Sequence, residues 1–197
     1  MFIELTDHLR CPAEHEESFV VLLPDAVEDR YVRTGQVGCP TCGRVHRVEE
    51  GVLDLGDAPV VPPAGDDVPE ADALAALMGL GGPGGFLVLA GAAASRARDL
   101  ARVLPGVHVA AVNPPPGVTD GHGVSVLRAA RLPMRSASMR SVVLGAPFGD
   151  DPAWRREAAR AVLPGLRVVG QGAAPDAPGL ELLAEASGWW VAQRVAR

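Results

Sequence analysis

The chain has 197 residues, a formal net charge of -6 and 48% hydrophobic residues, enough for one small and one medium domain around an aliphatic core. Only eight residues are aromatic, which argues against a base-stacking surface, and all eighteen basic residues are arginine. The absence of lysine excludes a Walker-type lysine, a Schiff-base lysine and pyridoxal phosphate chemistry.

Charge is unevenly placed: residues 1–80 carry sixteen acids against five arginines, and residues 81–197 carry eight acids against thirteen. Such polarity steers partners or holds two lobes together, and by itself it does not indicate nucleic acid. The opening MFIELTDHLR has acids where a signal peptide needs a basic region, so a cytoplasmic protein is expected. Residues 73–95 carry no charge, but the GLGGPGG run at 79–85 interrupts them, so a membrane span is not expected. The GxGxxG pattern at Gly79, Gly81 and Gly84 precedes a strand instead of following one and is read as chance.

Cys11, Cys39 and Cys42 are the only cysteines, and the last two form CPTC, a proline-containing turn whose amides can point at thiolate sulfurs. This is a zinc-knuckle signal. Three thiolates leave one tetrahedral position, and CPAEH supplies His15 four residues after Cys11. His46, in the alternating segment RVHRVEEGVLDL, is its rival, with His8 and Glu14 behind. A closed Cys3His site is structural and would hold together a lobe whose own core is small.

DHLRCPAEHEESFVVL followed by GQVGCPTCGRVHRVEEGVLDLG resembles the Trm112-like zinc-ribbon family: a leucine-rich entry, a first knuckle, a hairpin, CPxCG, then a strand ending in a DGxPxL-like turn, here Glu50 to Leu53. The likeness covers residues 1–56 and departs at the first knuckle, where the second cysteine is missing and His15 lies one residue further on. Members of that family act as partners and activators of methyltransferases. The resemblance therefore implies a protein partner, either a methyltransferase or a component of the translation machinery.

Residues 57–69, DAPVVPPAGDDVP, are rich in proline and acid and read as a semi-rigid linker. Pro69 fits the first position of a helix running to Met78, with Leu74, Leu77 and Met78 on one face. Strands are then expected at 86–90, 107–112, 123–127, 141–144, 166–170 and 189–195, and helices at 95–104, 152–162 and 179–186. Asp151 caps the second of these helices, and Pro152 opens it. This alternation predicts a mainly parallel sheet with helices on its faces. Trp189 and Trp190 alternate across the last strand, one toward the core and the other toward solvent or a partner. His108 is expected packed and neutral, and His122 in a plain turn.

In its order of features, the stretch from FLVLAG to LPGLRVVG resembles the class I S-adenosylmethionine-dependent methyltransferases over about 110 residues. VHVAAVN stands at the second strand, LRAARLPMRSASMRSVVL at the LPF…D…V stretch, and REAARAVLPGLRVVG at the helix, LxPGG turn and fifth strand. The resemblance implies S-adenosylmethionine contacts at Gly91, Ala92, Ala93, Asn113, Ala129 and Leu132. The site departs from the family's pattern. Gly91 is kept, while Ala93 and Ser95 stand where the family has glycines. Leu89 and Arg140 stand where acids are common. Asn113 replaces the acid that accepts the ribose hydroxyls, and losing such charge-assisted bonds costs roughly 1–3 kcal/mol. The antiparallel seventh strand of the family is expected to be missing.

The sequence thus predicts an α/β chain in three parts: a zinc ribbon over 1–56, a linker over 57–69 and a reduced Rossmann-like domain over 70–197. The function it points to is a zinc-binding, methyltransferase-like protein, non-catalytic, with an interaction or regulatory role. The alternative is an active S-adenosylmethionine-dependent methyltransferase, and the weakest reading is an RNA-contacting module using the arginines of the second half.

Overall fold

The computed structural model describes residues 1–65 and 67–195. After a 3-10 turn at Ile3–His8 come four antiparallel strands: β1 (Val21–Glu28), β2 (Tyr31–Gly38), β3 (Val45–Glu49) and β4 (Val52–Asp54). Two tight turns with positive φ at consecutive residues, Asp29–Arg30 and Glu50–Gly51, match the strand twist and set the hairpins. Val32, Val37, Val48 and Leu53 point inward, while Val45, Arg47 and Glu49 face out.

The second part runs α1 (Ala71–Met78), β5 (Phe86–Ala90), a 3-10 turn (Gly91–Arg96), α2 (Ala97–Val103), β6 (His108–Val112), β7 (Val124–Arg128) and β8 (Met139–Leu144). It continues through α3 (Pro152–Ala161), β9 (Val162–Gln171), β10 (Leu180–Ala186) and β11 (Trp189–Arg194). All described strands join one sheet in the order β1-β2-β3-β4-β7-β6-β5-β8-β9-β11-β10. From β4 to β9 neighbouring strands are parallel, as the α/β alternation requires.

The join between the two parts is β4 against β7, with Val52, Leu53 and Asp54 opposite Val126, Leu127 and Arg128. An edge strand of the parallel sheet is thereby paired. One face of the sheet, through Leu87, Leu89, Val109, Ala111 and Val143, packs against α1 and α2. On the other face, Val88, Val112, Leu127 and Leu144 share a core with α3 and with Leu5, Leu9, Val37 and Leu53 of the first part. The connection from β7 to β8 contains no helix among the described residues, and the N-terminal part covers the face beside it. Charge asymmetry serves this contact: Glu17 meets Arg160 at 2.9 Å, and Glu14 meets Arg131 at 3.6 Å.

The expectations for 179–186 and for the end of the sheet are overturned. Residues 180–186 form β10, not a helix, and β11 runs antiparallel between β9 and β10, so the antiparallel strand expected to be absent is present. LELLAEA has helical propensity, but the positive-φ turn Ser187–Gly188 folds it back on β11, and cross-strand pairing overrides propensity. The reading of the tryptophans changes for the same reason. With β11 inside the sheet, Trp189 and Trp190 are both buried, one in each core. Pro69 lies just before the cap of α1, which is Glu70, so the helix begins at Ala71. Asp151 caps α3 as expected, its carboxylate accepting from the Ala153 amide at 2.7 Å.

Candidate functional site

Cys11, His15, Cys39 and Cys42 come together, with all ligand atoms within 4.8 Å of one another. The Cys11 and Cys42 sulfurs are 3.7 Å apart, and Cys39 Sγ lies 3.5 Å from His15 Nε2. Tetrahedral zinc with ordinary Zn–S and Zn–N bonds needs edges of about 3.8 and 3.6 Å, so the donor set fits that ion. His15 Nδ1–H donates to the Glu16 carbonyl at 2.6 Å, which leaves the Nε2 lone pair facing the thiols. Burial pushes the Cys39 thiol up, but the Cys42 and Thr41 amides and the neighbouring thiols outweigh it and bring Cys39 down to about 6. Burial drives Cys11 the other way, to about 11. His46 is not in the group: it points inward from β3, and its Nε2 has no hydrogen-bond partner. A cavity of about 550 Å³ beside the group is lined by His15, Cys42, Arg44, Gly56, Asp57 and Arg131.

In open parallel sheets, ligands bind at the carboxyl ends of the strands, here those of β5, β6 and β8. Gly91 has φ +62°, and a Cβ there would run into the Ala146 carbonyl and the Phe148 ring, so the loop after β5 is pressed against the loop after β8. Ala92 N–H donates to the Ala146 carbonyl at 2.9 Å, and Ala92, Ala93 and Ala94 are buried. Asn113, at the end of β6, is 3% exposed. Its Nδ2 donates to the Ala129 carbonyl at 2.7 Å, and its Oδ1 accepts from the Ala129 amide at 2.8 Å. Ala129 and Leu132 are core residues with no exposed surface. The six residues expected to contact S-adenosylmethionine are all buried.

Three contacts at this end of the sheet escaped sequence reasoning. Gln171 accepts from the Ala146 amide at 2.8 Å and donates to the Asp67 carboxylate, while Trp189 Nε1–H donates to the Asp67 carbonyl at 3.1 Å. No motif marks these contacts, and the two made by Asp67 join segments more than a hundred residues apart. His108 is buried on β6 and bonded to Ser125 Oγ at 2.8 Å; burial, then the nearby N-terminal ammonium, lowers it to about 4. A further cavity, of about 860 Å³, is lined by residues of β3 and β4, among them His46, Arg47 and Val52. Among the described residues, no helix is long and apolar enough to cross a membrane.

No family model matches the sequence, and no curated protein does. Solved structures similar in fold are class I S-adenosylmethionine-dependent methyltransferases and relatives of that architecture. They include the antibiotic-resistance methyltransferase Kmr, at 14% identity and TM-score 0.45, over 70% of this chain and 99% of that one. The [4+2]-cyclase SpnF matches at 13% identity and TM-score 0.46, over 66% of each chain. Geranyl diphosphate C-methyltransferase from Streptomyces coelicolor A3(2), solved with S-adenosyl-L-homocysteine, matches at 18% identity and TM-score 0.41, over 51% of this chain and 41% of that one. This chain thus spans nearly all of the first relative and less than half of the last. The fold itself is mixed α/β, with a large sheet that is mainly parallel through its centre.

Proposed function

We propose that this chain is a zinc-binding, methyltransferase-like protein that does not transfer methyl groups and acts through interaction. Its N-terminal ribbon serves first as a partner to its own sheet. The observation that carries the reading is the closed pair between Asn113 and Ala129. An amide whose oxygen and nitrogen are both engaged in the core has little left to offer a ribose. The buried alanines and the packed Gly91 loop support the same reading, and these residues do not fit S-adenosylmethionine. Zinc fits Cys11, His15, Cys39 and Cys42, where it supplies a structural crosslink: it joins the loop after the first 3-10 turn to the turn between β2 and β3.

The ribbon's parallel contact with β7 supports an activator-like role turned inward, toward the sheet in the same chain. An outside methyltransferase or a translation component remains the partner class that the ribbon resemblance implies. Calorimetric titration of S-adenosylmethionine and S-adenosylhomocysteine into metal-replete protein, paired with metal analysis, tests the proposal. One zinc per chain and no heat up to millimolar ligand are expected. Micromolar binding would overturn the non-catalytic reading in favour of an active methyltransferase.

A further inference from the structure

We infer that the crevice at the carboxyl ends of β5, β6 and β8 is a docking groove for an extended, proline-rich and acidic peptide, and that its occupant is the chain's own segment, residues 57–65 with Asp67 and Val68. This rests on the reading of the crevice as closed to the nucleotide. The segment leaves the sheet where Leu55 N–H donates to the Arg128 carbonyl at 2.8 Å, at the carboxyl end of β7. It is caught again where the Asp67 carboxylate accepts from Gln171, at the carboxyl end of β9. Between these points the sheet order places β6, β5 and β8, so the direct path crosses their ends. Four interstrand spacings are about 19 Å, which an extended segment of this length covers with slack.

Side-chain burial distinguishes a docked segment from a solvated tether. Val60 is 94% exposed, whereas its neighbour Val61 is 6% exposed and joins the core cluster that contains Val112, Ala129, Leu144 and Phe148. Val68 is buried at the other end. Two backbone carbonyls of the segment are read by side chains: that of Asp67 by Trp189 Nε1, and that of Val68 by Arg96 at 3.2 Å. Arg96 also holds Glu70 at 2.9 Å, which fixes the segment against the loop after β5. Prolines at 59, 62 and 63 preform the extended backbone, so docking orders little that was free. Apolar anchors at alternating depth, carbonyls read by an indole N–H and a guanidinium, and a carboxylate held by an amide make up a peptide site.

The experiment compares two single variants of the full, zinc-loaded chain, Val60→Cys and Val61→Cys, by the rate of thiol alkylation mapped by mass spectrometry. The Val60→Cys protein is expected to react as a free thiol, and the Val61→Cys protein at least about tenfold more slowly. Adding Asp67→Ala should raise the slower rate toward the faster. Equal rates in the two single variants would overturn the inference. If either variant misfolds by circular dichroism, the natural chain serves: an aspartate-directed protease should cut residues 57–68 more slowly than it cuts the same sequence as a free peptide, and equal cutting would overturn the inference. Nucleotide that binds while Val61→Cys stays protected refutes the non-catalytic reading alone. Nucleotide that exposes Val61→Cys supports the groove and shows the segment to be its displaceable occupant.

Discussion

Asn113 and Ala129 hold each other through two hydrogen bonds, the amide side chain of one closing on both backbone groups of the other. The pair ties the end of β6 to the residue just past β7. Asn113→Asp replaces the donor with a buried charge facing the Ala129 carbonyl. A loss of about 2–4 kcal/mol in unfolding free energy is expected, read from urea denaturation. No gain of nucleotide binding should accompany it, and calorimetry checks that separately.

His15 and His46 make opposite predictions about the metal. Removing the imidazole in His15→Ala should weaken zinc binding by more than about tenfold in chelator competition, since one of four donors is lost. His46→Ala should keep one zinc per chain, because that ring lies outside the group. Equal metal loss in both variants would contradict the assignment.

The buried imidazole of His108, lowered to about 4 from the ordinary 6.5, makes stability depend on pH. Between those values the unfolded chain binds the proton and the folded chain does not, so stability rises with pH in that window. The contribution is complete above pH 6.5 and is lost as pH falls through 4, with a span on the order of 2–4 kcal/mol. His8 and His46 are also lowered, chiefly by burial, and act in the same direction. His108→Gln should therefore flatten the dependence of the denaturation midpoint on pH in this range without abolishing it. An unchanged slope would remove His108 from the account.

Arg140 grips the glycine turn before β5. Its guanidinium donates to the carbonyls of Gly81, Gly82 and Pro83 at 2.7, 3.0 and 3.3 Å, and also to that of Gly84. Arg140→Ala should cost about 1–2 kcal/mol and speed cleavage within residues 79–85 under limited proteolysis. Arg140→Lys should recover only part of this, because one ammonium cannot span four carbonyls.

Where a few adjacent residues carry the signal, the sequence is a sufficient guide. The knuckle spacing brought out Cys11, Cys39, Cys42 and His15, and short apolar runs marked β5, β6 and β8. β10 was hidden because LELLAEA is locally helical and only its pairing with β11 makes it a strand. Asn113 was legible as an unusual residue at the end of β6, but its partner lies sixteen positions away and is recognised through backbone atoms that no side-chain pattern reports. The segment 57–68 is the sharpest case. Val60 and Val61 are the same residue side by side, and composition assigns them one environment, yet one faces solvent and the other the core.

The pairing of β4 with β7 also constrains how the chain can fold. Val52 emerges early in synthesis, but its neighbour Val126 is made only after β5 and β6. Until then the first four strands have an unpaired edge and an uncovered apolar face. The molecule is therefore a high-contact-order folder whose two parts complete each other late.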